Sequence, residues 1–215
     1  MADAPTPLRR RSLVAVHAGL SQPSATRLLA DRLGAAAGGE LAAKGIDARL
    51  TMVELRDHAQ DLVNNLLTGF PSPALQGAIE DVVGADGLIA VTPVYSGSYS
   101  GLFKLFFDVL ERDALAGMPV VVAASAGTAR HSLALDHAMR PLFAYLGAAV
   151  VPTAVFAAAE DWGGGQDPME PSLVDRIARA GRELAAAIAT RDAQAAPDPF
   201  ADPVPFERLL VRDDT

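Results

Sequence analysis

The chain has 215 residues, half of them hydrophobic, and a formal net charge of −8. That length fits one domain with a sizeable core, and an aromatic share of only 6% beside much Ala, Val and Leu suits helices packed on a buried parallel sheet. The acidic balance argues against a nucleic-acid binder, the lack of cysteine excludes disulfides and thiolate chemistry, and no stretch approaches the about 18 apolar residues of a membrane span.

Strand and helix signals alternate along the chain, with no internal repeat. Residues 1–11 read as a flexible tail whose basic run, Arg9 to Arg11, is solvated. Ser12 to Ala18 is a short apolar run bounded by Gly19, the pattern of a buried strand. Leu20 to Ser24 is turn-like, and Ala25, Leu28, Leu29 and Leu33 then recur at helical spacing. Ala48 to Leu55 alternates like a strand. Ser72 to Val83 reads as a helix with Pro73 well placed in its first turn. Gly87 to Thr92 suits a central strand that stops at Pro93, because proline cannot donate to a ladder.

Leu102, Phe103, Phe106, Phe107 and Leu110 mark the buried face of the next helix. Met118 to Ala124 is a fourth strand. A helix over 132–146 should kink or restart at Pro141. Ala149 to Phe156 is the fifth strand, and Leu173, Ile177, Leu184 and Ile188 define a last helix. Five strands with intervening helices predict an α/β fold, a doubly wound five-stranded parallel sheet with helices on both faces. The domain spans 12–190. Residues 191–215 form a Pro/Asp/Ala-rich tail whose apolar end, Phe206 to Val211, could dock on a partner subunit or pack loosely.

Ligands of such sheets bind beyond the carboxyl ends of the strands. The loop after the first strand offers Ser21, Gln22, Ser24, Ala25 and Thr26 at a helix start, where free N–H groups and the helix dipole favour a phosphate. A single hydroxyl there would be read as a helix cap, whereas Ser21, Ser24 and Thr26 together favour the phosphate. The loop is neither a Walker motif nor a GxGxxG fingerprint. After the third strand, Pro93, Val94, Tyr95 and Ser96 open a small-residue loop that lets a planar ring approach closely. Its glycine-flanked run centres on Tyr99, which rules out a serine nucleophile elbow. After the fourth strand, Ser125, Gly127 and Thr128 can present hydrogen-bond donors to a ring edge, and Arg130 and His131 could serve a nucleotide phosphate or simply lie on the surface. The histidines 17, 58, 131 and 137 lack metal-ligand spacing, so no metal is expected.

Three segments resemble the NAD(P)H-dependent FMN reductase family of the flavodoxin-like superfamily. AGLSQPSATRLLA (Ala18 to Ala30) is similar to its phosphate loop. TPVYSGSYSGLFKLFFD (Thr92 to Asp108), with Lys104 in place, resembles its flavin loop. SAGTARHSLALDHAMRPLFAYLG (Ser125 to Gly147) resembles its third loop and helix. The likeness covers about Leu13 to Trp162 and is nearest the reductases that feed two-component flavin monooxygenases such as the alkanesulfonate system. It implies a flavodoxin-like fold, FMN and NAD(P)H as cofactors, hydride transfer from nicotinamide to flavin, and no acid, base or nucleophile from the protein. It also implies a homodimer or homotetramer and a monooxygenase partner. A cytoplasmic protein is expected, since the N-terminus lacks a secretory pattern. In that family an arginine often stands where this chain has Ser21. Weak, exchangeable FMN is therefore expected, with Arg27 as the candidate compensating cation. The open alternatives are a quinone, azo or chromate reductase with tightly held FMN, a non-enzymatic electron carrier, and a flavin-free α/β domain.

Overall fold

The computed structural model describes residues 9–163 and 171–191. Strands β1 (Arg9–His17), β2 (Ile46–Glu54), β3 (Gly87–Tyr95) and β5 (Pro119–Ala126) form the body of the sheet. Two short strands, β6 (Ala149–Val150) and β7 (Val155–Ala158), share its fifth position, and β4 (Ser98–Tyr99) folds back antiparallel on the end of β3. The order is β2-β1-β3-β5-β6, with β7 also beside β5 and every pairing parallel except that of β4. This is the flavodoxin-like order, reversing between β1 and β3. Of the sheet's seven strands, six fill five positions and β4 is added at the end of β3. The fifth position is broken at Pro152, which cannot donate to a ladder. Side chains take over the backbone groups freed there: Arg140 donates to the Val151 carbonyl (3.1 Å) and Glu183 accepts from the Thr153 N–H (2.7 Å).

Alternation along the buried strands divides the core in two. Leu13, Ala15, Ile89, Val91 and Val121 face helices α1 (Ala25–Ala43) and α6 (Leu173–Thr190), meeting Leu29, Leu33, Ile177 and Leu184. Val14, Val16, Leu88, Ala90 and Val120 face α2 (Ala59–Thr68), α3 (Pro73–Val83), α4 (Gly101–Asp108) and α5 (Arg140–Tyr145). On that side the Phe103, Phe106 and Phe107 stripe is core, with Phe107 lying 4.7 Å from Phe103 and 4.9 Å from Phe143 between ring centroids. On the other side α1 and α6 approach closely at Gly181, where an added Cβ would come within 3.0 Å of the Ala36 and Ala37 backbone.

Several expectations are corrected. The basic run is not wholly a solvated tail. Arg9, Arg10 and Arg11 pair with Ile46, Asp47 and Ala48 in β1, and Arg11 is buried. Its guanidinium meets Asp86 at 3.0 Å and donates to the Arg191 carbonyl at 2.6 Å, which compensates the charge. Strand β3 runs through Pro93 to Tyr95, because its pairing with β1 ends at Val91 and only β5 lies alongside Pro93. One neighbour fewer leaves fewer ladder bonds for a proline to break. The 132–146 segment restarts at Pro141 as expected: a π-helical turn (Leu135–Met139) leads into α5, which has Pro141 in its first turn. Helix α2 had no counterpart in the sequence reading. It buries Leu62 and Asn65 but exposes Val63, Leu66 and Leu67, so its apolar residues mark no clean face. Most of the Pro/Asp/Ala-rich tail, including Phe206 to Val211, lies outside the described residues.

Candidate functional site

The carboxyl ends of β1, β3 and β5 deliver three loops to one end of the sheet, where the strand order reverses. The first begins with Ala18, whose N–H donates to the Val91 carbonyl at 3.1 Å, so the loop starts from β3 as well as β1. Ser24 caps α1 by accepting from the Arg27 N–H at 3.2 Å. Gly19 lies so close that a methyl group there would come within 2.1 Å of the Ser24 hydroxyl. The tight turn leaves the first N–H groups of α1 facing outward from the sheet end, with the positive end of the helix dipole behind them.

The second loop is fixed from below. Thr92 is fully buried, and its hydroxyl accepts from the Ser100 N–H (3.0 Å) and donates to the Pro93 carbonyl (2.9 Å). Ser100 in turn caps α4 by accepting from the Phe103 N–H at 3.2 Å. Ser96 and Gly97 take the left-handed turn between β3 and β4, at φ 51° and 80°. The third loop joins the first through a buried pair of hydroxyls, Thr26 Oγ1 and Ser125 Oγ, 2.8 Å apart. One hydroxyl of this pair donates to the other. The acceptor's own proton then remains available for a ligand.

Between the loops lies a cleft of about 410 Å³ lined by Leu20, Ser21, Ala25, Thr26, Pro93, Val94, Tyr95, Ser125, Ala126, Gly127, Ala159 and Trp162. Small-molecule pockets run from about 300 to 1,000 Å³. The cleft brings together Ser21, Ala25, Thr26, Pro93, Val94, Tyr95, Ser125 and Gly127 from all three expected loops. Gln22, Ser24, Ser96 and Thr128 are not among its lining residues. Ser24 caps α1, Ser96 makes the turn, Thr128 caps the short helix Ala129–His131, and Gln22 faces Arg56. Trp162 was not foreseen. It arrives from the loop after β7, with the Arg32 guanidinium 4.9 Å over its ring.

A second cavity, about 550 Å³, lies along β2 and α3 and is lined by Arg27, Glu54, Asp57, His58 and Asp81 among others. Apart from Arg27 it meets none of the three loops, so the smaller cleft is the candidate site. Arg27 therefore does not face the cleft as the compensating cation. It pairs with Asp31 (3.1 Å) and Glu54 (3.2 Å) on the side of the second cavity. His17, one residue before the first loop, is fully buried, and neither ring nitrogen has a hydrogen-bond partner. Burial holds its pKa below the usual imidazole value, opposed by Glu54 at 3.8 Å. Among the described residues no cluster of His, Asp and Glu could hold a metal ion, and no helix is long and apolar enough to cross a membrane.

Residues 12–163, the stretch that carries the sheet, its loops and Trp162, match the family model described as NADPH-dependent FMN reductase. The chain belongs to the NADPH-dependent FMN reductase family. An FMN reductase (NADPH) of Pseudomonas aeruginosa is 40% identical over 150 residues, which cover 70% of this chain and 78% of that one. An NADH-dependent FMN reductase, SfnE, of Pseudomonas putida is 40% identical over 152 residues, 71% of this chain and 77% of that one. An oxidoreductase of Corynebacterium diphtheriae, solved by X-ray crystallography, superposes with a TM-score of 0.81 at 44% identity. The match covers 86% of this chain and all of that one.

The cleft of this FMN reductase family member has the chemistry that a flavin mononucleotide asks for. Donors at the α1 N-terminus and the Thr26–Ser125 hydroxyl pair suit a phosphate and its chain. Pro93, Val94 and Tyr95 give a low-polarity wall for a ring system. Gly127 has no atom within 4 Å of where a Cβ would stand, so its backbone is open to a ring edge.

Proposed function

We propose that this chain uses NAD(P)H to reduce FMN and hands the reduced flavin to a flavin-dependent monooxygenase. The observation that carries the reading is the convergence of three loops on one cleft, joined at its floor by Thr26 and Ser125, in a chain of this family. When bound, FMN supplies a ring that accepts hydride from the reduced nicotinamide, and the protein's task is binding and orientation. Ser21, Ala25 and Thr26 hold the phosphate end with the α1 N–H groups. Pro93, Val94 and Tyr95 support the ring. Ser125, hydrogen-bonded to Thr26, would face the phosphate's chain, and Gly127 would meet the ring's polar edge. No side chain in the cleft is needed as acid, base or nucleophile. Tyr95 is about half exposed where it lines the cleft.

A homodimer or homotetramer is part of the same reading. Leu133 and Tyr145, 61% and 76% exposed beside the restarted helix at Pro141, leave apolar surface there. Sedimentation equilibrium reads the state directly.

The test of the activity is NAD(P)H oxidation by the purified chain, with and without added FMN. Turnover that requires free FMN and saturates with it is the expected result. Turnover without added FMN, stimulated only by a quinone or dye, would replace the reading by a reductase with tightly held flavin. FMN binding without any nicotinamide oxidation would leave an electron carrier.

A further inference from the structure

The loop from Ala18 to Thr26 contains no basic residue, and Arg27 is turned away from the cleft toward Asp31 and Glu54. The geometry points to Arg56 as the residue that positions this loop for the flavin phosphate, an assignment that rests on the FMN reading above. Arg56 belongs to the short helix Leu55–His58 that follows β2, 34 residues beyond Gln22 in sequence. Its guanidinium lies against the loop. Nη1 donates to the Leu20 carbonyl at 3.5 Å, the long end of hydrogen bonding. The Gln22 carboxamide, oriented with its oxygen toward the guanidinium as the donors there require, accepts from Nη2 at 2.7 Å and Nη1 at 3.2 Å.

The fork is anchored from behind by Glu54, whose Oε1 lies 3.0 Å from Nη2, with Asp57 at 3.8 Å from Nε. Glu54 Oε2 meanwhile holds Arg27 at 3.2 Å and faces His17 at 3.8 Å. Arg56 is thus fixed on one side by carboxylates and holds the loop backbone and the Gln22 side chain on the other. Leu20 and Ser21, next to those contacts, line the cleft. Glu54 and Asp57 offset much of the charge of Arg56, so its main contribution is the loop's shape. Planar bidentate geometry makes arginine suited to this and lysine a poor replacement. The consequence is specific. A misplaced loop loses the phosphate, while a flavin without a phosphate is held by the ring-binding loops alone.

The experiment is a comparison of FMN and riboflavin dissociation constants, by flavin fluorescence, for the native chain, R56M and R56K. Expected is a native preference for FMN. In R56M that affinity should drop tenfold or more with riboflavin affinity unchanged within twofold, and R56K should recover only a minor part of the loss. Equal losses for both flavins, or no loss for FMN, would overturn the assignment, and full recovery by R56K would reduce the role to charge alone and overturn the positioning argument. A native chain that binds both flavins equally would refute the phosphate loop itself. A native chain that binds neither would refute the FMN reading.

Discussion

Thr26 and Ser125 are 99 residues apart in sequence, yet their hydroxyls meet at 2.8 Å on the floor of the cleft, each almost without solvent exposure. Two buried hydroxyls share two protons and one mutual bond, so one donor is left for a ligand. Thr26→Ala should weaken FMN binding by about 1–3 kcal/mol, the cost of leaving a buried polar group without its partner. Ser125→Ala should do the same, and the double variant should lose less than the sum because the two share one bond. Fluorescence titration measures all three, and an unchanged dissociation constant for Thr26→Ala would remove it from the site. Thr26 could be read from the sequence because hydroxyls after the first strand of a doubly wound sheet have a restricted set of uses. Trp162 could not, since it follows the last strand, outside the three loops where a ligand was expected, and only the fold brings it to the cleft. Nor could Arg56, since no spacing rule places residue 56 beside residue 22.

At the scale of elements, caps and turns were the best guides. Ser72 accepts from the Leu75 N–H with Pro73 in the first turn of α3, as residue types at those offsets dictate, whereas Ser24, read with Ser21 and Thr26 as a phosphate contact, is the cap of α1. Strand ends were harder. Arg9 to Arg11 read as tail because charge at a chain end is ordinarily solvated, and Asp86, the partner of Arg11, lies 75 residues away. The pair ties the start of β1 to the turn before β3, and the Ser12 N–H also donates to Asp86 at 2.8 Å. Arg11→Met should therefore destabilise the chain by about 3–5 kcal/mol, the usual result of stripping one partner from a buried ion pair. Urea unfolding followed by circular dichroism measures this. A loss below about 1 kcal/mol would show that the pair behaves as an exposed one.

For the molecule as a whole, buried His17 couples stability to pH. Its pKa is lowered in the folded state, chiefly by burial, so the unfolded chain takes up the proton first as pH falls. The stability it permits is fully present above the ordinary imidazole value of about 6.5 and declines as pH drops below it, until the folded-state value is passed. His17→Leu, which cannot titrate, should flatten that decline. Thermal unfolding of both proteins between about pH 5 and 8 would show it, and identical pH profiles would exclude His17 as the source. The alternation of apolar strands with helical faces determined the parallel α/β class and sent three loops to one end, because strands buried on both faces leave their ends as the only open ground. The motifs in those loops carried the family. Only the tertiary structure decided that Arg11 is buried, that β3 runs through Pro93, that Arg27 turns away, that Arg56 meets the first loop at Leu20 and Gln22, and that Trp162 lines the cleft. Each of these depends on groups distant in sequence meeting in space, where burial and pairing set the energy of a charge or a missing donor, and local propensity carries no record of them.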